Sequence, residues 1–167
     1  YVADAALYLH PAESGIGLHE IKAFASGELW FRVTVPGRLP DTQEPGHTAF
    51  AHRAVNPLDK AWVVYHALQD LAERRAQAVH HPLLEEAVGR STNILLSHVQ
   101  CGDPEKLSRV SPACTIAGSV TFPPGDDLGA VQAQIAETLR QAAQGDDWLR
   151  ENPPELEWLV GVNAVEV

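Results

Sequence analysis

The hydrophobic and polar positions of the chain repeat with two different periods, which together predict six regular elements. Within residues 28–35, apolar side chains stand at every second position from Leu29 to Val35. This alternation is typical of a half-buried strand. The Pro36-Gly37 pair then ends the strand, because proline cannot donate a ladder hydrogen bond.

A long amphipathic helix is predicted from about residue 57 to about residue 78. Apolar side chains recur there at three- and four-residue steps, so one stripe of the helix is apolar. Asn56 is a suitable N-cap, and Pro57 suits the first helical position, where no N–H is needed. Trp62 and Tyr65 either pack inside the domain or extend the stripe onto a partner. The stripe consists of Leu58, Ala61, Trp62, Tyr65, Leu68, Leu71, Ala72 and Arg75.

Three further strands and a second helix complete the pattern. The His80-His81-Pro82 segment ends the first helix, because a residue before proline is disfavoured in helical conformation. Residues 91–99, 113–122 and 156–160 are predicted strands, and residues 128–142 repeat apolar positions at helical steps. The order strand, helix, strand, strand, helix, strand predicts an α+β domain of the ferredoxin-like type. Such a domain has a four-stranded antiparallel sheet with two helices on one face.

The first 26 residues lie outside that unit. Residues 5–9 are predicted to form a short apolar strand that ends at His10-Pro11, and residues 16–25 are a second strand-like stretch of sequence. The chain contains no methionine. We therefore expect it to be an excised or processed part of a longer protein, which can lack the chemistry of its parent.

Composition and charge restrict the classes of partner. The 167 residues are 45% hydrophobic and carry a formal net charge of −10, which argues against binding to nucleic acid or to an anionic membrane. No apolar run approaches the roughly 20 residues that span a bilayer, and we expect a cytoplasmic protein without a signal peptide. Cys101 and Cys114 are expected to be reduced and half-buried, although a disulfide between them stays an open alternative.

The most informative segment for chemistry is the loop from Gly46 to Asn56. It is rich in glycine and histidine and leads into the capped start of the first helix. His47 therefore lies in a loop that is anchored by the helix start, and it can act as hydrogen-bond donor, proton shuttle or metal ligand. The alternative is a surface histidine without a role.

Four segments in order resemble motifs of a zinc-dependent amidohydrolase family. Its members include acetylornithine deacetylase, succinyl-diaminopimelate desuccinylase and the glutamate carboxypeptidases. The resemblance covers residues 20–161 and points to the lid, or dimerisation, domain of that family. The segments are the strand at residues 26–37, the Gly46-His47…Asn56-Pro57 loop, the Ser91-Thr92-Asn93-Ile94 strand up to Gly102, and the strand and turn at residues 112–125.

The resemblance implies a division of labour between two domains. The parent would bind one or two zinc ions in its catalytic domain and hydrolyse an amide bond in an N-acyl amino acid or a small peptide. The lid would form a homodimer, and His47 would reach across it to stabilise the oxyanion in the partner's active site. We expect residues 27–161 to be the lid, residues 1–26 and 162–167 to be flanks of the catalytic domain, and this chain alone to be inactive and free of zinc.

Departures from the family pattern concern substrate and metal. Thr121 stands where many members carry an arginine for the substrate's carboxylate, and Arg109 could serve as that clamp instead, or be an ordinary solvated arginine. His10 stands where the family has a terminal zinc-binding glutamate, and imidazole is a good zinc ligand.

Two other interpretations remain at this point. The chain could be a non-enzymatic ferredoxin-like regulatory module that binds a small ligand such as an amino acid, because fold alone does not dictate function. It could also be a self-contained hydrolase, but the eight histidines are scattered along the chain.

Overall fold

The computed structural model describes residues 24–166. The predicted strand at residues 5–9, His10, and most of the stretch at residues 16–25 lie outside the described residues. The strands are β1 (Phe24–Ala25), β2 (Gly27–Pro36), β3 (Asn93–Cys101), β4 (Ala113–Phe122), β5 (Glu155–Val162) and β6 (Val165–Glu166). The helices are a 3-10 helix (Thr48–Arg53), α1 (Pro57–Ala78), α2 (Pro82–Val88), α3 (Leu128–Gln144) and α4 (Asp147–Glu151).

The main sheet has four antiparallel strands in the order β3-β4-β2-β5. Helices α1 and α3 pack against each other and against this sheet. The predicted ferredoxin-like α+β architecture is confirmed, and so are the bounds of α1 and β4. β1 and β6 form a separate two-stranded sheet, in which Phe24 is paired with Glu166.

The core lies between the sheet and the two long helices. The alternating side chains of β2, from Leu29 to Val35, are fully buried, as the period of two predicts. On α1 the apolar stripe is rotated relative to the prediction. Val64 is buried, whereas Leu58 is 46% exposed and Trp62 is 58% exposed. The buried side chains of α1 are Pro57, Ala61, Val64, Leu68, Leu71 and Arg75.

Strand β3 begins two residues later than predicted, at Asn93. Ser91 and Thr92, which precede it, are buried, and their hydroxyls bond to neighbouring elements instead of continuing the ladder. The Ser91 hydroxyl accepts a hydrogen bond from the His81 amide at 2.6 Å, and the Thr92 hydroxyl donates to the Thr121 carbonyl at 2.7 Å. A bulge between Leu96 and His98 shifts the register, so that Ile94 before it and Cys101 after it lie on the same face of the sheet.

Two short helices are absent from the prediction. α2 starts at Pro82 with the His81 ring as its N-cap and ends at Val88, and Gly89 follows as a C-cap in left-handed conformation. α4 is held by Asp146, whose carboxylate accepts from the Trp148 and Leu149 amides at 3.0 Å each. Helices of this length have too few apolar repeats to be recognised from periodicity, so only their caps mark them.

One charged side chain is buried among these elements. The Arg75 side chain is 4% exposed and pairs with Asp126 at 2.6 Å. It also donates to the Gln134 side chain at 2.6 Å and to the Thr92 hydroxyl at 3.1 Å. Arg75 thereby connects α1 to the start of β3, to α3 and to the turn before α3.

Candidate functional site

The loop that carries His47 is fastened to the connection between β3 and β4. The Val110 amide donates to the Gly46 carbonyl at 2.7 Å, and the Thr48 amide donates to the Ser108 carbonyl at 2.9 Å. Gly46 adopts φ +80°, a left-handed conformation that glycine tolerates best. A side chain there would also approach the Val110 carbonyl oxygen at 3.2 Å. The position of His47 therefore depends on residues more than sixty positions away in sequence.

The His47 ring is oriented by the 3-10 helix that follows it. His47 is the N-cap of this helix, and its Nδ1 accepts a hydrogen bond from the Ala49 amide at 3.1 Å. An accepting Nδ1 keeps its lone pair, so the neutral ring carries its proton on Nε2. The half-buried ring thus offers an Nε2–H donor whose direction is set by the backbone.

Arg109 lies directly opposite His47. The two residues form an isolated antiparallel bridge between the loop and the β3–β4 connection. The exposed Arg109 side chain donates from Nη1 to the Pro45 carbonyl at 3.4 Å. The structure therefore brings together the backbones of two residues that the sequence proposed separately. Their roles stay predictions.

The far end of the loop is fixed at the start of α1. Arg38 and Val55 exchange two backbone hydrogen bonds of 2.9 Å each. The Asn56 side chain caps α1 by accepting from the Leu58 amide at 3.2 Å, and Pro57 occupies the first turn, as predicted. Both ends of the loop are thus attached to regular elements, which limits the freedom of His47.

A groove of about 320 Å³ lies beside this loop. Its walls come from the 3-10 helix, the first turn of α1, the end of β3 and the β3–β4 connection. Its charged lining residues are Arg109, Lys106 and Asp103, and Lys106 pairs with Asp103 at 3.2 Å, which leaves one net positive charge, whereas Leu58 and Leu107 are apolar. A ligand with a carboxylate beside an apolar group would match this lining.

The predicted metal ligand His10 lies outside the described residues. Between residues 24 and 166, no three His, Cys, Asp or Glu side chains come together in a way that could hold a metal ion. The part of the chain that the structure describes therefore does not form a zinc site. Thr121 lies on β4, where its backbone is paired with Glu28 and Asn93. Because threonine is neutral, this position offers no positive charge to a substrate's carboxylate.

A second candidate site is the surface formed by one edge of the sheet and the adjoining side of α1. Among the described strands, β3 pairs with β4 only, so its other edge is open. Leu95 is 60% exposed and Val99 is 53% exposed on this strand. Leu95 is paired with Ser119 and faces away from the helices, whereas Val99 is paired with Ile116 and lies on the same face of the sheet as α1. We term the open edge of β3 with these two side chains, together with Leu58, Trp62 and Tyr65 of α1, the α1–β3 surface.

The orientation of α1 places its aromatic side chains beside this edge. Lys60 pairs with Asp146 at 2.7 Å, which marks the side of α1 that faces α3 and α4. Trp62 follows two residues later and lies about 200° further around the helix, on the opposite side. The Trp62 and Tyr65 rings stack at 5.1 Å between centroids, and His66 packs edge-on against both. A stacked aromatic pair on an exposed helix side is typical of an interface.

Fold and site together define an α+β domain with an anchored histidine loop and, at β3, an open sheet edge with exposed apolar side chains. Residues 25–147 match the family model described as peptidase dimerisation domain. The chain belongs to this family, as the motifs in its sequence suggested. Among curated proteins, none matches the sequence of this chain.

Solved structures of peptidases share the fold at low sequence identity. An M20 family metallo-carboxypeptidase from Sulfolobus solfataricus superposes with a TM-score of 0.59 at 12% identity, over 86% of this chain and 45% of that one. Human carnosine dipeptidase 1 gives 0.55 at 12% identity, over 85% and 38%. Aminopeptidase PepT from Bacillus cereus gives 0.53 at 10% identity, over 87% and 32%.

The chain therefore spans less than half the length of these structures. Such identities establish a common fold and no shared activity. Within residues 24–166, no helix has both the length and the apolar character needed to cross a bilayer.

Proposed function

We propose that this chain is the lid and dimerisation domain of a metal-dependent amide hydrolase. The parent enzyme would act on N-acyl amino acids or small peptides, as the family membership and the peptidase folds of its structural neighbours suggest. The observation that carries the proposal is the His47 loop, which presents an oriented Nε2–H donor on a domain of the dimerisation family. This assignment favours the lid over a free-standing regulatory module.

Homodimerisation is proposed to use the α1–β3 surface. An open strand edge presents a row of unpaired N–H and C=O groups, which a second copy can pair in antiparallel fashion. Leu95, Val99 and Trp62 are each more than half exposed and would be buried in such a dimer. Burial of apolar area is the main favourable term in association, which supports this surface over the polar parts of the domain.

His47 is proposed to act on the partner subunit's active site. When water attacks an amide carbonyl, negative charge develops on the carbonyl oxygen, and a fixed N–H donor stabilises it more than it stabilises the ground state. Because the Ala49 amide occupies Nδ1, Nε2–H is the group that would donate. Arg109, opposite His47, would bind the substrate's carboxylate by a charge-assisted hydrogen bond.

The metal and the catalytic base are proposed to reside in the catalytic domain of the parent. His10 would contribute one zinc ligand there. Residues 1–26 and 162–167 would join that domain to the lid, and the enzyme would work in the cytoplasm. When bound, zinc would acidify the attacking water. The isolated chain would bind no zinc and hydrolyse nothing.

The dimer is tested by the solution mass of the chain. We expect about 36 kDa, twice the 18.1 kDa of one chain, by sedimentation at micromolar concentration. Trp62→Glu should give a monomer, because it places a charge in the apolar interface. The control is Leu107→Glu, at a side chain that is 89% exposed and outside the α1–β3 surface. A wild-type monomer at this concentration would contradict the proposed dimer.

The role of His47 is tested in the full-length parent. His47→Ala should lower kcat by roughly 100- to 1,000-fold with zinc content unchanged, because it removes one oxyanion donor. His80→Ala is the matched control, since that exposed histidine hydrogen-bonds to Glu85 and to the Gln77 carbonyl and belongs to neither the His47 loop nor the groove beside it. A hybrid dimer of a His47→Ala subunit with a metal-deficient subunit should recover activity. Hybrids that stay inactive would show that His47 does not act across the dimer.

A further inference from the structure

The two cysteines of the chain face each other across neighbouring strands. Cys101 is the last residue of β3 and is paired with Cys114, the second residue of β4. Directly opposed residues in an antiparallel pair have Cα atoms about 4.5–5.5 Å apart and side chains on the same face. Disulfides need about 4.4–6.8 Å between Cα atoms. Both cysteines are free thiols in the structure, and the backbone already has the spacing for a bond between them.

The two thiols differ in accessibility. Cys114 is fully buried in the core, whereas Cys101 is half-buried and lines the groove beside the His47 loop. Burial, which is the largest cause, and the neighbouring Cys101 thiol together raise the pKa of the Cys114 thiol to about 12. A small reagent from solution therefore meets Cys101 first, because Cys114 is neither exposed nor ionised at neutral pH.

The pair stands at the base of the connection that holds His47. Residues 102–112 leave β3 at Cys101 and enter β4 next to Cys114, and they contain Ser108 and Val110, which bond the His47 loop. Within this connection, residues 102–109 are exposed. A covalent bond between the two cysteines would close this segment into a ring at the point where the ladder ends.

We propose that Cys101 and Cys114 form a thiol–disulfide exchange site that is oxidised by small-molecule disulfides such as glutathione disulfide. The Cys101 thiolate attacks one sulfur of the reagent, forms a mixed disulfide and releases one thiolate, which takes up the Cys101 proton. The Cys114 thiol then gives its proton to the solvent, and its thiolate attacks the Cys101 sulfur and expels the second thiolate, which takes up a proton in turn. The cysteine pair is oxidised by two electrons, and one disulfide molecule is reduced to two thiols.

The expected consequence is a stiffer β3–β4 connection. Closing a ring of about 14 residues restricts the unfolded chain and raises Tm by roughly 6–12 °C. Because Ser108 and Val110 lie within this ring, the His47 loop would also fluctuate less. That effect on His47 depends on the proposed lid function, whereas the exchange chemistry does not.

The test is to titrate the natively folded chain with glutathione disulfide and to measure its intact mass and its alkylation. We expect a monomeric product with an intramolecular disulfide, which has lost two hydrogen atoms and no longer reacts with iodoacetamide after unfolding. Trypsin cleavage at Lys106 and Arg109 should be slower by about tenfold in this product, because proteolysis requires local opening. Persisting free thiols, or a stable mixed disulfide on the wild type, would overturn the proposal.

Single variants separate the two steps. Cys114→Ser should stop at a mixed disulfide on Cys101, and Cys101→Ser should react with nothing while it stays folded. Cys114→Ala serves as a second form of the first variant if serine in the core prevents folding. Modification of Cys101→Ser in the folded state would contradict the assigned order. None of these readouts depends on dimerisation or hydrolase activity, so the proposal and the proposed function can fail separately.

Discussion

Replacing Arg75 by methionine should be one of the most damaging changes to the core. Methionine keeps much of the aliphatic length but removes the guanidinium, which bonds Asp126, Gln134 and Thr92. Thr92 retains its bond to the Thr121 carbonyl. Asp126 loses its ion-pair partner while its side chain is only 28% exposed. The variant therefore leaves one carboxylate partly desolvated and without its counter-charge.

The size of the effect follows from burial. Removing one partner of a buried ion pair costs about 3–5 kcal/mol, but Asp126 keeps some contact with water, so we expect about 2–4 kcal/mol of unfolding free energy. The matched control is Arg32→Met. Arg32 pairs with Glu157 at 2.9 Å, but the two side chains are 46% and 59% exposed, so the loss should be about 0–1 kcal/mol.

Urea unfolding of the two variants and the wild type tests whether burial determines the loss of stability. Arg75→Met should lower the midpoint strongly, with an m-value like that of the wild type, and lower Tm by roughly 4–16 °C. Asp126→Asn in the Arg75→Met background should recover part of the loss, because it removes the unpaired charge. Equal losses for Arg75→Met and Arg32→Met would refute the reasoning from burial.

Two further changes test other parts of the fold. Gly27→Ala should destabilise the chain by about 2–4 kcal/mol in urea unfolding. The added Cβ would clash with the Phe122 ring and come 2.7 Å from the Ala164 nitrogen. A loss below about 1 kcal/mol would contradict this packing. Asp146→Ala should cost about 1–2 kcal/mol at pH 7. Burial raises the pKa of Asp146, but hydrogen bonds from Lys60 and from two α4 amides outweigh burial and hold it below its ordinary value of 3.8. The carboxylate's contribution to stability is therefore present above pH 3.8 and lost as pH falls through the lower folded-state pKa. The difference in unfolding free energy between Asp146→Ala and the wild type should narrow over that pH range. A difference that stays constant with pH would contradict the stabilising role of the charged carboxylate.

The long elements could be predicted from the sequence because their periods are unambiguous. β4 and α1 were placed at their observed bounds, since ten and twenty-two residues give many repeats. The rotation of the α1 stripe could not be predicted in the same way. Trp62 is apolar and correctly spaced, yet it is exposed because α1 is turned toward α3, and that depends on packing between elements distant in sequence.

The same distinction between local and long-range signals applies to the candidate site. His47 and Asn56 were identified from local signals, a glycine-histidine loop and a helix cap. The position of Arg109 opposite His47 is a long-range pairing with no local signature, so the sequence could name both residues but not their proximity. The same holds for the Cys101–Cys114 pair, where register and not spacing determines the contact.

The small sheet of β1 and β6 has a consequence for protein engineering. Because Phe24 is paired with Glu166, the two ends of the folded unit lie side by side, about one strand spacing apart. A unit with adjacent ends can be spliced into a surface hairpin of an unrelated host without stretching either polypeptide. Residues 24–166 could thus be inserted into a host protein as one folded unit, which would transfer the proposed dimer surface to that host.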